Sequence, residues 1–174
     1  MREKVTAERL EKFMQAVGRV GKMNCRIYLV GGATAVLLGW RETTIDIDLK
    51  IVPEVNEILK ALPELKEALQ INVELASPDD FIPALPGWEE RSEFITRVGA
   101  IDFFHYDFYA QALAKIERGH NTDVLDVRQM IERGLIEPSR LLEFFSQIED
   151  QIYKYPAIDG KFFRLAIEQF LQSL

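Results

Sequence analysis

From Ile45 to Ile51 the chain alternates strictly, with Ile45, Ile47, Leu49 and Ile51 in every second place and Asp46, Asp48 and Lys50 between them. Successive side chains of a strand point to opposite faces, so the segment Ile45 to Val52 reads as a strand with one apolar face and one charged face. Pro53 stops it. Upstream, Arg26 to Val30 is a short apolar strand that breaks at once on Gly31-Gly32 and continues into Ala33 to Leu38. That last run holds good helix formers and a single polar residue, Thr34, which predicts a short, well-covered helix ended by Gly39.

The flanking segments alternate between the two periods. Val5 to Val20 repeats Leu10, Phe13, Met14 and Val17 at helical spacing, and Glu54 to Leu69 returns to that spacing with an expected break at Pro63. Ile71 to Leu75 reads as the next strand, with Asn72 and Glu74 opposite Ile71, Val73 and Leu75. Ser77 to Gly87 carries Pro78, Pro83 and Pro86 and reads as an ordered loop with apolar anchors. Glu93 to Val98 and Ala100 to His105 predict two strands about Gly99, in the manner of a hairpin. Beyond Asp107 the pattern is helical: Phe108 to Glu117, Asp123 to Glu132, Ser139 to Ile152 and Asp159 to Leu171. The composition shift divides the chain into a sheet-bearing part, residues 1–106, and a helical part, residues 107–174.

With 174 residues, 48% of them hydrophobic, the chain is long enough to bury a core and too apolar to be disordered throughout. Acidic residues outnumber basic ones, 28 against 21, for a formal charge of -7. That balance counts against an extended nucleic-acid interface while leaving small anionic ligands open, since a metal ion or a helix start supplies positive potential locally. One cysteine, Cys25, excludes a disulfide framework and a cysteine metal cage within the chain, and two histidines, His105 and His120, exclude a three-histidine zinc site. The charged stretch Met1 to Lys12 lacks the apolar core of a signal peptide, and no apolar run is long enough to span a bilayer. A cytoplasmic location with no membrane partner is therefore expected.

Two carboxylates at i and i+2 on one strand share a face, so Asp46 and Asp48 can reach one ligand. Held roughly 4 Å apart they repel by about 4 kcal/mol at an effective dielectric near 20, a conflict that a bound divalent cation removes. Magnesium prefers oxygen ligands and bridges carboxylates to phosphates. The alternative for this pair is an ordinary solvated face. In Leu29-Val30-Gly31-Gly32-Ala33, the strand-to-helix turn exposes backbone N–H groups of the kind that hold phosphate; its structural alternative is a tight corner that needs positive φ.

Val30-Gly31-Gly32, the short helix, and then Asp46-Ile47-Asp48-Leu49 resemble the signature of the polymerase-beta-like nucleotidyltransferase superfamily. Within it the chain looks like the small stand-alone prokaryotic proteins related to abortive-infection and toxin–antitoxin nucleotidyltransferases. Arg41 and Thr44 match the Arg and Thr that precede the acidic pair there, and Asp107, Lys115, Arg118, Asp123 and Asp126 resemble the helical segment that follows the catalytic sheet. The resemblance runs from about Ile27 to Glu132. It implies an α+β fold with a mixed sheet, flanking helices and a C-terminal helical part. It also implies magnesium- or manganese-dependent transfer of a nucleoside monophosphate from a nucleoside triphosphate to a hydroxyl acceptor. Asp46, Asp48 and Glu74 would be the catalytic and metal-binding acids, with Asp102 the fallback for Glu74. Gly31, Gly32, Thr44 and Lys115 would hold the nucleotide. RNA, a protein and a small molecule all remain open as acceptor. A toxin or antitoxin partner, with the chain as a catalytically degenerate binding module, is the competing expectation.

Other candidates carry ordinary explanations of equal or greater weight. Lys115 can form surface pairs with its helix neighbours, and Asp123 and Asp126 share a helix face from which they can pair with Arg118 or Arg128. His105 and His120 have no visible third group to orient them. Trp40, Trp88, Phe103, Phe104, Phe144 and Phe145 are expected to pack a core or a partner surface, with Trp40 beside the glycine turn a candidate to touch a base.

Overall fold

The alternating segment forms the second strand of a five-stranded sheet in the computed structural model, which describes residues 2–174; Met1, the first residue of the charged N-terminal stretch, lies outside them. In chain order the sheet-bearing elements are α1 (Ala7–Val20), β1 (Cys25–Val30), α2 (Gly32–Leu38), β2 (Asp46–Val52), α3 (Asn56–Leu69) and β3 (Asn72–Leu75). A short α4 (Trp88–Arg91) follows, then β4 (Glu93–Val98) and β5 (Ile101–His105). The strand order is β3-β2-β1-β5-β4. β1 runs parallel to β5 and β2 parallel to β3, whereas β1–β2 and β4–β5 are antiparallel, so the sheet is mixed.

Alternation decides which side of this sheet is dry. Ile27 and Leu29 of β1, Ile47 and Leu49 of β2, and Ile101 and Phe103 of β5 are buried in one cluster with Leu10, Phe13, Met14 and Val17 of α1 and Ile58 and Leu62 of α3. The apolar stripe of α1 is the one its spacing predicts, and Thr6 caps its start by accepting from the Arg9 N–H. Asp46, Asp48 and Lys50 occupy the places between the buried residues of β2 and are half-buried. Ile45 is 72% exposed because the ladder begins only at Asp46, so the apolar face is one residue shorter than the alternation implies.

The chain folds as two compact units, residues 1–77 with 92–106, and residues 78–91 with 107–174. The proline-rich loop therefore goes with the helical unit, where Ile82, Pro83 and Leu85 are buried as its anchors. The helical unit contains α5 (Phe108–Arg118), α6 (Asn121–Glu132), α7 (Leu141–Ile148) and α8 (Gly160–Gln172). Buried Leu113, Ile116, Val127, Met130, Phe145, Phe163 and Ile167 lie on these helices, and Phe145 meets Phe163 edge to face at 4.8 Å. Asp107 caps α5 by accepting from the Tyr109 N–H, while Arg91 donates from Nε and Nη2 to Asp107 Oδ2 at 3.2 and 2.8 Å.

Two boundaries differ from the sequence pattern for identifiable reasons. Helix α3 passes through Pro63 without a break. Pro63 lies on the exposed face, where a carbonyl left without its donor can turn to water, and the buried Ile58 and Leu62 keep the axis in place. The expected helix over 139–152 is an α-helix only to Ile148 and continues as a 3-10 helix, Glu149–Lys154. None of the described helices is long and apolar enough to cross a membrane.

Candidate functional site

The sheet brings the two conspicuous sequence features into contact. β1 and β2 are antiparallel with Val30 opposite Asp48, so the chain leaving β1 turns at Gly31 beside the acidic strand. Gly31 has φ +61° and ψ −122°, a conformation open to glycine and closed to other L-residues without strain. A side chain there would start 3.7 Å from Asp48 Oδ2, so the corner faces the carboxylate over bare backbone. Gly32 is glycine for a different reason. A Cβ on it would lie 2.0 Å from Thr44 Oγ1 and 2.7 Å from Thr44 Cβ, which means that Thr44 occupies the space a side chain would need.

Thr44 ties this corner to the acidic strand. Its hydroxyl donates to the Asp46 carbonyl at 3.1 Å, and its backbone exchanges two hydrogen bonds with Val5, at 2.7 and 2.9 Å. The first-turn N–H groups of α2 have no acceptor within the helix, since the first intrahelical bond runs from the Ala35 N–H to the Gly31 carbonyl.

On the other side of β2, strand β3 pairs Asn72 with Asp46 and Glu74 with Asp48, which puts Glu74 on the same face as the aspartates. Asn72 Nδ2 donates to Asp46 Oδ1 at 2.7 Å and to Glu74 Oε1 at 3.0 Å. Asn72 thus separates two acids that would repel and holds one oxygen of each. Sequence reasoning placed Asn72 on this face without giving it a role; its position two residues before Glu74 was the available signal. Among the described residues no three histidine, cysteine, aspartate or glutamate side chains stand together as a metal cage. What the sheet presents is an aspartate pair with a glutamate tethered alongside. The donor set, carboxylate oxygens alone, fits a hard divalent cation of the magnesium type.

Asp102, the fallback acid, is far from this arrangement along the strands. It pairs with Arg26, four positions back from Val30, which is roughly 13 Å along β1. Arg97 donates to both its carboxylate oxygens, at 3.1 and 3.0 Å. His105 comes to the glycine corner from beneath. It lies opposite Leu29 and is buried, and its Nδ1 is 3.0 Å from Thr34 Oγ1 in the first turn of α2. Burial pushes the His105 pKa down to about 4, so the ring is neutral near pH 7.

Within the helical unit Lys115 is buried among charges. Its Nζ donates to Asp126 Oδ2 at 2.8 Å and lies 3.5 Å from Asp123 Oδ1. Arg118 donates from Nε and Nη2 to the two oxygens of Asp123 at 2.8 and 2.6 Å. Burial acts to raise the Asp123 pKa, but Arg118 and Lys115 outweigh it and hold the carboxyl below its ordinary value. His120 is exposed at the N-cap of α6 without a capping side-chain bond, and Trp40 is half-buried just after α2. Phe103 is in the sheet core, Phe104 stacks on Tyr28 at 5.3 Å, and Phe144 and Phe145 are buried on α7.

Residues 8–158 match a family model described as "Nucleotidyltransferase of unknown function (DUF6036)". The chain belongs to this family. The match takes in every strand and the helices from α1, all but its first residue, to α7, so the acidic strand, the glycine corner and the Lys115 cluster are all inside it. Among solved structures the chain is similar to an antigenic nucleotidyltransferase-like protein from Paracoccidioides brasiliensis, at 15% identity, with 95% of each chain covered and a TM-score of 0.51. At that identity the likeness speaks for the fold, a mixed sheet with flanking helices of the nucleotidyltransferase type. No curated protein matches the chain.

Proposed function

We propose that the chain transfers a nucleoside monophosphate from a nucleoside triphosphate to a hydroxyl group, releasing pyrophosphate. The observation that carries this is the convergence of Asp46, Asp48 and the bare Gly31 corner on one sheet face, in a chain whose family is a nucleotidyltransferase one. A magnesium or manganese ion held by Asp46 and Asp48 would neutralise charge on the triphosphate and the leaving pyrophosphate, and Glu74 would complete the site by turning in from its bond to Asn72. Gly31 leaves room for phosphate oxygens beside Asp48, and the first-turn amides of α2, that of Gly32 among them, offer donors to them. Thr44 sets the height of that corner by packing on Gly32. Glu74 takes the proton of the attacking hydroxyl as its oxygen forms the new bond to the α-phosphorus and the bond to the β-phosphate oxygen breaks. No covalent intermediate on the protein is needed; alignment and electrostatic stabilisation supply the catalysis.

The test is incubation with nucleoside triphosphates labelled at the α-phosphate, magnesium or manganese, and cell RNA or protein. Transfer of label that is abolished by Asp46→Ala and by Asp48→Ala, in variants that stay folded, is the expected result. Transfer unchanged by either substitution overturns the assignment.

One observation favours a second reading. Glu74 is exposed, and its carboxylate accepts from Asn72 rather than meeting the two aspartates directly. A binding module that keeps the fold without turnover, as one member of a toxin–antitoxin pair, would tolerate such a third acid. Nucleotide binding that needs Asp46 and Asp48 but never yields pyrophosphate would decide for it.

A further inference from the structure

A buried polar pair beneath the glycine corner has no part in the chemistry just described. Thr34 is fully buried and His105 nearly so; Thr34 follows Ala33 in the chain and His105 pairs with Leu29, both members of the apolar core. Thr34 is the only polar side chain of α2, and isolated polar groups in an apolar interior persist only when they are hydrogen-bonded. Its Oγ1 is 3.0 Å from His105 Nδ1 and 3.3 Å from the Leu29 carbonyl. A hydroxyl has one proton, so both contacts are satisfied together in one way. The Nδ1–H of a neutral His105 donates to Thr34 Oγ1, and the Thr34 hydroxyl donates onward to Leu29. The same Leu29 carbonyl also accepts from the Tyr106 N–H at 2.9 Å.

This chain of bonds spans the turn at issue. Leu29 is two residues before Gly31, Thr34 is three residues after it, and His105 is supplied by the neighbouring strand β5. Gly31 itself has no side chain with which to fix its unusual backbone conformation, and how closely the corner approaches Asp48 Oδ2, 3.7 Å from where a Cβ on Gly31 would stand, depends on where that backbone sits.

We infer that Thr34 and His105 are positioning residues, whose shared hydrogen bond locks the Gly31–Gly32 corner against β1 and so sets its distance from Asp48 for triphosphate binding. The inference rests on the nucleotide-binding role proposed above for that corner. Neither side chain reaches the ligand; each acts through the backbone of residues 31–34.

The test is a binding titration of the full chain with magnesium and an equimolar mixture of the four ribonucleoside triphosphates, backed by amide hydrogen exchange without ligand at Ala35 and Tyr106, whose N–H groups bond the Gly31 and Leu29 carbonyls. Thr34→Val and His105→Leu should each weaken binding about tenfold, the scale of one lost buried hydrogen bond, and the double variant should be little worse than either. Exchange at the corner should accelerate in all three. Thr34→Ser, which keeps the hydroxyl, and His105→Asn, whose amide nitrogen can stand near Nδ1, should restore most of the affinity, and these milder variants keep the test usable if the first two fold poorly. Wild-type binding left unchanged by Thr34→Val and His105→Leu, or weakened about a hundredfold by the pair together, overturns the positioning role and leaves the site assignment standing. Absence of magnesium-dependent triphosphate binding by the wild type overturns the site assignment, and the positioning role falls with it.

Discussion

Asn72 and Asp46 stand opposite each other on β3 and β2, and the Asn72 amide donates to Asp46 Oδ1 at 2.7 Å. Because the same nitrogen also serves Glu74, replacing Asn72 acts on two acids at once. Asn72→Ala removes donors to charged acceptors at a half-buried place and should cost about 1 kcal/mol of stability. Asn72→Asp puts a third carboxylate against Asp46 and Glu74, offset only in part by the exposed Arg2 guanidinium that donates to Asn72 Oδ1, so it should lower the melting temperature further in a chelator and recover part of the loss in millimolar magnesium. Thermal melts of both variants with and without magnesium check this. An equal magnesium response in wild type and Asn72→Asp would show that these acids do not share a cation.

The glycine corner makes a prediction with two separable parts. Gly31→Ala meets no clash, only the strain of φ +61° and ψ −122°, and should cost about 1–3 kcal/mol while leaving the fold intact. Gly32→Ala meets Thr44 at 2.0 Å and should destabilise through steric overlap. Thr44→Gly removes both of the atoms that clash, so the double variant Gly32→Ala with Thr44→Gly should be more stable than the sum of the two single losses. Denaturant unfolding of the four-member cycle measures the coupling, and strict additivity would show that Thr44 had already moved out of the way.

Much of this site could be read before any coordinates, because its parts announce themselves by period and spacing. The Ile47/Leu49 alternation fixed the faces of β2, and the glycine pair fixed the end of β1. What joins them across the sheet could not be read that way. The antiparallel Val30–Asp48 and parallel Asp48–Glu74 registers are long-range pairings, and no local pattern distinguishes Glu74 from Asp102 as the neighbour of Asp48. The Thr34–His105 bond is likewise 71 residues apart in sequence, and a lone histidine at a strand end gives no hint of it. Pro63 illustrates the opposite failure, a strong local signal overridden by packing on the buried side of α3.

His105 predicts a pH dependence whose sign can be worked out. Its pKa is about 4 in the folded chain, against about 6.5 when exposed in the unfolded one. Below pH 6.5 the unfolded chain takes up a proton that the folded chain refuses, so the stability due to neutral burial is complete above 6.5 and is lost as pH falls toward 4. The slope of this contribution approaches about 1.4 kcal/mol per pH unit between those values. Asp107, whose pKa is raised by burial despite Arg91, contributes with the opposite sign in acid, which makes the difference between wild type and His105→Asn the informative quantity. Urea unfolding at pH 7, 5.5 and 4.5 should show that difference shifting in favour of His105→Asn as pH falls. A constant difference would mean that His105 takes up its proton as readily in the folded chain as in the unfolded one.

Lys115 separates a structural role from a ligand-binding one. It is 7% exposed and neutralises Asp126 directly, while Asp123 has Arg118 as well. Lys115→Met takes from the buried Asp126 carboxylate an ammonium at 2.8 Å and should cost about 3 kcal/mol. Adding Asp126→Asn to Lys115→Met removes the buried negative charge that Lys115 faced and should return part of that loss, since a neutral amide is far cheaper to bury than a carboxylate. The same double variant then serves as a folded protein without the lysine, in which magnesium-dependent triphosphate affinity can be titrated. Affinity close to wild type would confine Lys115 to holding α5 and α6 together. Affinity lost from a double variant of restored stability would make the Lys115 ammonium a phosphate ligand in its own right.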